Sequence, residues 1–473
     1  MSRLGRRVLV AGAGVSGRSA AEALLAEGAE VTVTDASRER LAGLAELGRA
    51  GARLLPALSE PPEGTDLVVT SPGWRPDSPL LENAAARGTE VIGETELAWR
   101  LDRSREKPAE WLAVTGTNGK TTTVGMLESI LRAAGIDAVA CGNVGLPAVD
   151  AVRAGHEVLA VELSSFQLHW SDTLAPYAGV VLNLAEDHLD WHGSLRAYGL
   201  AKSAVYRGNT VSVYNLDDPT STRLAREHVG AAGVGVTLGP PSEGQLGIVD
   251  GRLLDRAFGG EGTTEGGSVP LAALTDVRQV GEHNLSNALV ACALARCRGV
   301  PARACAEGLR AFAPGQHRSV PVGEEDGVVY VDDSKATNPH AAAAALRAHS
   351  RLVWIAGGLL KGAEVDELVR VHASRFLGVV LIGTESGRIA EALELHAPGV
   401  PVVRIPPEHE DPMGEAVRSA RELAEPDSAV VLAPAAASMD MYTDYAHRGR
   451  EFAAAVRAVL AGPESGPAER PRE

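Results

Sequence analysis

The stretch from Trp111 to Gly135 constrains the fold of this chain more than any other. Trp111 to Val114 is a short apolar run that predicts a buried strand, and apolar residues recur at helical spacing from Val124 to Ala134. The loop after the predicted strand consists of Thr115, Gly116, Thr117, Asn118, Gly119, Lys120 and Thr121. A strand, a glycine-rich loop, a Lys-Thr pair and a helix together are typical of a phosphate-binding loop.

The chemistry of this loop favours a nucleoside triphosphate as its ligand. Glycines let backbone N–H groups turn toward a phosphate, and the helix N-terminus adds a partial positive charge. Lys120 would reach the β- and γ-phosphates, and the Thr121 hydroxyl would bind Mg²⁺. The usual loop has four residues between its first glycine and its Gly-Lys pair, whereas here only Thr117 and Asn118 intervene. The alternative is a glycine-rich turn that binds nothing.

Composition limits the other classes of function. A chain of 473 residues predicts about three domains of ~150 residues each. The net charge of −16 argues against a nucleic-acid-binding or anionic-membrane-binding surface. No run approaches 18 uninterrupted apolar residues, so we expect no insertion into a membrane. The four cysteines form no CxxC pair and no zinc spacing with histidine, which predicts reduced thiols in a cytoplasmic protein.

The N-terminal segment carries a second glycine motif. Arg7 to Ala11 predicts a strand, which continues into the turn GAGVSG at 12–17, and a second predicted strand ends at Asp35. A GxGxxG turn with an acidic residue about 20 positions later is the Rossmann dinucleotide-binding fingerprint. The motif alone leaves two alternatives open: a domain that binds NAD, and a Rossmann-like domain that grips another diphosphate.

Polar side chains follow two further predicted strands of the central region. Glu162 follows the strand at 156–161, and His188 follows the strand at 180–182. Ligands of open α/β sheets bind beyond the carboxyl ends of the strands, so these groups could hold a second metal ion beside the triphosphate. Glu162 could instead cap a helix, and His188 could be a surface histidine. Lys202 would ordinarily be a solvated lysine on a helix.

The sequence predicts an α/β protein of three domains. They are a Rossmann-like N-terminal domain at 1–107, a central P-loop ATPase-like α/β domain at 108–314, and a C-terminal Rossmann-like α/β domain at 315–461. The segment 240–267, rich in Gly, Glu and Ser, predicts a hairpin or loop. The tail at 462–473 is predicted to be disordered.

Several segments resemble those of the Mur ligase family in their residues and in their order along the chain. These segments are TGTNGKTT at 115–122, GNVG at 142–145, ELSSFQL at 162–168, DHLD at 187–190, HNLSN at 283–287, HR at 317–318, DDSKATN at 332–338 and PAAAS at 434–438. The resemblance extends from residue 1 to about 460 and is more specific than either glycine motif. It favours a diphosphate over NAD at the N-terminal turn.

The resemblance implies an ATP-dependent amide-bond ligase of peptidoglycan synthesis that acts through an acyl phosphate. The segments SSFQL, DSKATN and PAAAS look most like the branch that joins D-glutamate to UDP-N-acetylmuramoyl-L-alanine. Two other classes stay open: another ligase of the superfamily, such as one adding meso-diaminopimelate or lysine or a folylpolyglutamate synthase, and a nucleotide sensor without turnover. We expect a monomer, two Mg²⁺ sites, and domains that close on their substrates.

The resemblance also assigns roles to residues. The predicted catalytic residues are Lys120, Glu162, His188 and Lys202, and Lys202 is expected to be carbamylated. The predicted metal ligands are Thr121, Glu162, His188 and Lys202. ATP is assigned to Gly116, Thr117, Asn118, Gly119, Lys120, Thr121, Thr122, Asn284, His317, Arg318, Asp333 and Lys335. The other substrates are assigned to Ser16, Asp35, Ser71, Gly73, Asn143, His188, Thr337, Lys361, Ser438 and Tyr445.

The chain departs from the family pattern at three places. Ala36 and Ser37 stand where relatives often carry a Thr-Arg pair, so Arg38 is the nearest group that could stack on uracil. The pattern GGxDKG of many relatives reads GGLLKG at 357–362 and lacks its aspartate. Tyr445 replaces a common phenylalanine. These departures concern the substrate pockets and leave the predicted reaction class unchanged.

Overall fold

A computed structural model describes residues 6–208, 210–229, 233–260, 262–263, 267–278, 281–313 and 315–461. The tail predicted to be disordered, 462–473, lies outside these residues. The described chain divides into two compact units. The first unit contains residues up to 184 together with 193–313, and the second contains 185–192 together with 315–461.

The first part of the first unit is a parallel sheet. Its described strands are β1 (Arg7–Ala11), β2 (Glu30–Asp35), β3 (Arg53–Pro56), β4 (Leu67–Thr70) and β5 (Glu90–Gly93), in the order β3-β2-β1-β4-β5. The helices are α1 (Val15–Ala26), α2 (Arg38–Ala42), α3 (Ala45–Arg49), α4 (Pro79–Ala86) and α5 (Glu94–Arg103). The strand order reverses between β1 and β4, and such a reversal favours a ligand site at their carboxyl ends.

A larger sheet forms the rest of the first unit. Its strands, as far as the chain is described, are β6 (Glu110–Thr115), β7 (Ala138–Gly142), β8 (Val158–Glu162), β9 (Ala178–Val181), β10 (Val211–Asn215), β11 (Val234–Val236), β12 (Gln245–Val249), β13 (Arg252–Asp255) and β14 (Val269–Ala273). Their order is β14-β13-β12-β11-β10-β9-β6-β8-β7. The strands from β6 to β12 run parallel, and β12 pairs with β13 as an antiparallel hairpin inside the predicted hairpin or loop segment.

Helices cover this larger sheet. They are α6 (Lys120–Ala133), α7 (Ala148–Ala154), α8 (Ser165–His169), α10 (Leu195–Ser203), α11 (Pro219–Val229), α12 (Glu282–Cys297) and α13 (Ala302–Ala311), while α9 (Leu189–His192) belongs to the second unit. The apolar face predicted for α6 is buried: Leu127, Ile130 and Leu131 are fully enclosed. A Cβ on Gly308 would lie 2.4 Å from the Ile130 Cα, so α13 and α6 pack backbone to backbone there. Small residues make this close packing possible.

The second unit is built on a sheet with one antiparallel edge strand. The strands described are β15 (Val320–Glu325), β16 (Val328–Asp332), β17 (Leu352–Ala356), β18 (Phe376–Leu381), β19 (Val402–Arg404) and β20 (Ser428–Leu432), in the order β15-β16-β20-β17-β18-β19. Its helices are α14 (Pro339–Arg347), α15 (Asp366–His372), α16 (Ser386–His396), α17 (Pro412–Leu423) and α18 (Tyr445–Ala461). Only β15 pairs antiparallel among these, so the carboxyl ends of β16, β20, β17 and β18 lie at one edge.

The predicted α/β fold with parallel, Rossmann-like sheets is confirmed. The three domain ranges with boundaries near 107 and 314 stay predictions. Within the described ranges, no helix is both long and apolar enough to cross a membrane. The four cysteines are free, as predicted, and three of them are buried.

Candidate functional site

The predicted phosphate loop joins β6 to α6. Gly116 has φ 152° and Gly119 has φ 86°, backbone conformations that residues with a side chain rarely adopt. A Cβ on Gly119 would lie 2.5 Å from the Asn287 Oδ1 of α12, so the loop fits its surroundings only with glycine at this position. Lys120 Nζ donates to the carbonyl oxygens of Gly116 and Thr117, at 2.9 Å each. Thr121 and Thr122 lie in the first turn of α6.

Asn183 holds this loop from outside, a role that the sequence analysis missed. It follows β9, the strand next to β6 in the sheet. Its Oδ1 accepts the N–H of Asn118 at 2.9 Å, and its Nδ2 donates to the Asn118 carbonyl at 3.2 Å. The N–H of Thr117 donates to the Asn183 carbonyl at 3.1 Å. Three hydrogen bonds from one residue therefore fix the loop that would hold a phosphate.

Lys202 is a buried lysine, and not the solvated helix residue that its position in α10 would suggest. Its side chain is 1% exposed, and its Nζ donates to the Gly116 carbonyl at 2.9 Å and lies 3.4 Å from Thr115 Oγ1. The same Nζ lies 4.5 Å from the centroid of the Tyr198 ring. The Gly116 carbonyl thus accepts from both Lys120 and Lys202. Two ammonium groups this close repel each other, which favours an anion beside them.

Glu162 ends β8, opposite Val114 of β6 in the sheet register. Its Oε1 accepts from the Asn143 Nδ2 at 2.8 Å, so two predicted site residues are in contact. Its Oε2 is buried and has no hydrogen-bond partner among the residues described. A buried carboxylate oxygen without a partner is costly, so a cation fits here. The alternative role as a helix cap is filled by Ser164, which forms a capping box with Gln167 at the start of α8.

The metal set predicted from sequence is divided between the two units. Glu162 and Lys202 belong to the first unit, whereas His188 lies in segment 185–192 of the second. His188 has φ 55°, and its Nε2 lies 3.6 Å from an oxygen of Asp187. Across the described part of the chain, no group of three or more His, Cys, Asp or Glu could hold a metal ion. The joint ligation of one metal by Glu162, His188 and Lys202 therefore stays a prediction.

The donors present suit Mg²⁺ better than a softer metal. Mg²⁺ takes oxygen ligands, often one or two carboxylates completed by substrate phosphates and water. Glu162 offers a carboxylate oxygen that has no partner among the described residues, and Thr121 offers a hydroxyl at the start of α6. These two groups supply too few ligands for a complete Mg²⁺ site, so the phosphates of a nucleotide and water would have to supply the others.

The N-terminal glycine turn is tied to the predicted acidic residue. Asp35 Oδ2 accepts the N–H of Ala13 at 2.8 Å, and Oδ1 accepts the N–H of Ser37 at 2.8 Å. A Cβ on Gly12 would lie 2.3 Å from Ser71 Oγ, which is buried and without a partner in the described structure. The turn, Asp35 and Ser71 therefore meet at the point where the strand order reverses. Ser16 lies half-buried in the first turn of α1, and Gly73 is exposed.

In the second unit, His317 and Asp333 flank the end of β16. His317 Nδ1 lies 2.6 Å from Asp332 Oδ2, a partner that the sequence analysis did not predict, and its Nε2 is buried without a partner in the described residues. Ser319 Oγ donates to Asp333 Oδ2 at 2.9 Å. Burial raises the pKa of Asp333 to about 6, although the Ser319 hydrogen bond and the charge of Arg318 act to lower it. These groups form one polar cluster.

Lys335 and Tyr445 belong to the same cluster. Lys335 Nζ lies 3.7 Å from the centroid of the Tyr445 ring, and the ring centroids of His317 and Tyr445 are 6.5 Å apart. The N–H of Lys335 donates to the His317 carbonyl at 3.2 Å, and the N–H of Thr337 donates to the Lys335 carbonyl at 2.8 Å. Five of the predicted positions, His317, Asp333, Lys335, Thr337 and Tyr445, are thus brought together in this unit.

Arg448 of α18 organises this edge, and the sequence offered no signal for it. The residue is 1% exposed, and its guanidinium donates to Ser334 Oγ at 3.0 Å, to the Ser334 carbonyl at 2.9 Å and to the Ala436 carbonyl at 3.1 Å. A longer contact, 3.4 Å, reaches the Gly357 carbonyl. One side chain therefore joins the loops that follow β16, β20 and β17.

Two predicted substrate residues, Lys361 and Ser438, lie on loops that are hydrogen-bonded to each other. Leu359 and Ala437 exchange both backbone hydrogen bonds, at 2.8 and 2.9 Å. Ser438 is buried, and Lys361 has φ 54°. In the first unit, Asn284 is buried in the first turn of α12, with Asn287 Nδ2 3.5 Å from its Oδ1.

Comparisons with known proteins agree with this arrangement. Residues 6–93 match the N-terminal domain of MurD-like Mur ligases, residues 114–295 match the Mur ligase middle domain, and residues 317–436 match the Mur ligase glutamate ligase domain. The chain is 54% identical over 473 residues to the UDP-N-acetylmuramoylalanine--D-glutamate ligase of Thermobifida fusca, covering 97% of this chain and 100% of the relative. The ligase of the same name from Streptomyces coelicolor is 51% identical, with 96% and 98% covered.

A solved structure shows a similar fold at low sequence identity. The UDP-N-acetylmuramate-alanine ligase of Thermotoga maritima aligns with a TM-score of 0.58 at 18% identity, covering 97% of this chain and 100% of that one. The full-length identity to the curated relatives and the three matching domains point to one family. The chain belongs to the Mur ligase family.

Proposed function

We propose that this chain is the ATP-dependent ligase that joins D-glutamate to UDP-N-acetylmuramoyl-L-alanine in peptidoglycan precursor synthesis. The names of the relatives at 54% and 51% identity support the substrates. The observation that carries the reaction class is the phosphate loop, where the amines of Lys120 and Lys202 share one carbonyl. Glu162 lies at the end of a strand adjacent to β6, and one of its carboxylate oxygens has no hydrogen-bond partner in the described part of the chain.

The reaction must first turn a carboxylate into an electrophile. A carboxylate oxygen of the muramoyl-alanine substrate attacks the γ-phosphorus of ATP, ADP leaves, and an acyl phosphate forms. The amine nitrogen of D-glutamate then attacks the acyl carbon, loses a proton, and inorganic phosphate leaves as the amide forms. Both reactants of the first step are anions, so Lys120 would stabilise the charge that builds up on the phosphates. Bound Mg²⁺ supplies further screening of that charge.

We infer that Lys202 acts as a carbamate and contributes with Glu162 to the second of two Mg²⁺ sites, while His188 stays a predicted ligand. Burial and the neighbouring Lys120 amine support this proposal, because carbamylation converts one of two adjacent cations into an anion. Carbamate oxygens are ligands that Mg²⁺ accepts, whereas an ammonium is not. Asn143 would be held toward the same site by its bond to Glu162.

The role of Lys202 has a direct test. We expect Lys202→Ala to lower turnover by at least about 100-fold and acetate or formate to restore part of it, since a small carboxylate can replace the carbamate. Lys107→Ala, at an exposed lysine of the same chain, is the matched control and should retain full activity. Full activity of Lys202→Ala would exclude a metal-binding role for Lys202.

The assignment of the substrates is tested by phosphate release from ATP and Mg²⁺ with UDP-N-acetylmuramoyl-L-alanine. We expect release with D-glutamate, and none with L-glutamate, lysine or meso-diaminopimelate, together with a new amide product by mass spectrometry. Turnover with a different amino acid would keep the mechanism and change the assigned substrate. ATP binding without turnover would favour a nucleotide sensor.

We further propose that the enzyme acts in the cytoplasm as a monomer and binds no nucleic acid. The free, mostly buried cysteines are consistent with a reducing compartment. The net charge of −16 disfavours contact with a polyanion. Light scattering of the purified protein at several concentrations would test the monomeric state.

A further inference from the structure

Three loops of the second unit are hydrogen-bonded to one another at the carboxyl edge of its sheet. The loop after β17 contains Lys361, the loop after β20 contains Ser438, and the loop after β18 contains Thr384 and Glu385. The double hydrogen bond between Leu359 and Ala437 joins the first two loops. The third loop carried no predicted site residue.

The third loop is attached to both of the others. The N–H of Thr384 donates to Asp440 Oδ2 at 2.9 Å, which links it to the loop after β20. The Leu360 N–H donates to the carboxylate of Glu385, and the Glu385 N–H donates to the Gly358 carbonyl at 3.3 Å. Glu385 therefore grips the β17 loop through both its side chain and its backbone.

Leu360 stands where the family pattern GGxDKG has its aspartate, and its surroundings explain how the loop after β17 is held without that residue. Its side chain is 3% exposed and packs in the core of the second unit, where a carboxylate would not be tolerated. The backbone N–H of the same residue is held by the carboxylate of Glu385. The anchoring of this turn thus comes from a buried apolar side chain below it and a carboxylate from the neighbouring loop.

Lys361, the next residue, has a strained backbone. Its φ of 54° lies in the left-handed region, which a residue with a side chain occupies only when its surroundings fix it there. The bonds on its N-terminal side are those of Leu359 to Ala437 and of Leu360 to Glu385. Loss of the Glu385 bond would let the turn relax, and the Lys361 ammonium would move with it.

We propose that Glu385 is a positioning residue for amino-acid recognition. It holds the Leu360 N–H so that Lys361, which the family resemblance assigns to the acidic amino acid, keeps the strained conformation in which it would bind that substrate. This inference rests on the proposed function for the identity of that amino acid. Glu385 itself is engaged with the backbone, so it acts through Lys361. Its replacement should therefore weaken the binding of the amino acid and leave the binding of ATP and the UDP substrate unchanged.

Hydrogen exchange tests the bond independently of activity. In the full-length protein, Glu385→Met keeps the side-chain length but removes the acceptor, whereas Glu385→Gln retains an oxygen that can accept the Leu360 N–H. We expect amide exchange in the peptide 357–363 to accelerate about tenfold or more in Glu385→Met and to stay near wild type in Glu385→Gln. Glu391→Met, at an exposed position of α16, is the control. Unchanged exchange in Glu385→Met would overturn the inference.

Steady-state kinetics test the consequence for recognition. We expect Glu385→Met to raise the KM for D-glutamate about tenfold, with kcat and the KM values for ATP and the UDP substrate within about twofold of wild type, and Glu385→Gln to restore the KM. Equal changes in all three KM values, or a fall in kcat alone, would contradict a positioning role.

The two measurements separate this inference from the proposed function. If the wild-type enzyme uses another amino acid, the proposed substrate is wrong, and the KM comparison is made with that amino acid. If exchange accelerates while the KM of the amino acid stays constant, the bond exists but the positioning role is refuted.

Discussion

Glu94 provides a stringent test of the electrostatics in the first unit. It begins α5, is 2% exposed, and its Oε1 accepts the N–H of Val149 at 2.8 Å. Burial raises the pKa of Glu94 to about 7 from its usual 4.5, with a further rise from the charge of Asp150, and the Val149 hydrogen bond only partly opposes this. The carboxylate is therefore unfavourable in the folded protein at neutral pH.

The sign and size of the effect follow from the pKa difference. Below pH 4.5 Glu94 is protonated in both the folded and the unfolded chain. The folded protein then has the full stability that this group contributes relative to high pH. Between pH 4.5 and 7 only the folded chain keeps the proton, so stability falls as the pH rises through this window. The difference of about 2.5 pKa units corresponds to about 3 kcal/mol lost above pH 7.

Glu94→Gln removes this titration while keeping an oxygen for the Val149 N–H. At about 2 °C per kcal/mol for a unit of this size, we expect the variant to gain about 5 °C in Tm relative to wild type between pH 5 and pH 8. Thermal melts monitored by circular dichroism across this range measure that difference. Glu82→Gln, at an exposed glutamate of α4, is the control. A Tm difference for Glu94→Gln that does not change with pH would refute the reasoning.

Three further predictions concern buried side chains that have no direct part in the proposed reaction steps. His372 is 1% exposed, neither ring nitrogen has a partner in the described residues, and burial, then the charges of Arg347 and Arg375, lower its pKa. Its folded pKa lies below its unfolded one, so stability is lost as the pH falls below about 6.5, and His372→Leu should reduce the drop in Tm between pH 7 and 5. Arg448→Lys should lower the free energy of unfolding by about 2 kcal/mol and abolish most turnover, because a lysine cannot replace the several hydrogen bonds of the guanidinium group. Arg450→Lys, at an exposed position two residues away, is the control and should change neither stability nor turnover. Thermal melts and phosphate release measure the two effects. The hydrogen bond with Cys305 and then burial raise the pKa of the Cys292 thiol. Both thiols are fully buried, so they should resist an aromatic disulfide reagent until the protein is unfolded, and rapid native-state reaction would contradict this packing.

The sequence predicted those parts of the fold that local pattern determines. The strand at Arg7–Ala11 and the strand before the phosphate loop appear where periodicity placed them, and Gly135 follows the last turn of α6 with φ 78°. Apolar runs, helical spacing and glycine positions are local properties of the sequence, so they can be recognised without knowledge of tertiary partners. The same holds for the groups at strand ends, because parallel strands bring their carboxyl ends to one edge.

The partners of these groups could not be predicted, because they come from distant segments. Asn183 bonds to Asn118 across 65 residues and Arg448 to Ser334 across 114. On its own helix Arg448 looks like one more arginine in a charged segment. Only the packing of α18 against the sheet edge turns it into the link between three loops. Such roles depend on tertiary contacts that no local pattern encodes.

The hydrogen bonds of Lys120 indicate how the phosphate loop keeps its shape. Its ammonium donates to two loop carbonyls, and Asn183 fixes the loop from the other side. A triphosphate would have to draw Lys120 away from these neutral acceptors, and it attracts the ammonium more strongly because it carries full negative charges where a carbonyl offers only a dipole. The loop thus holds its lysine on internal acceptors from which a bound phosphate would draw it.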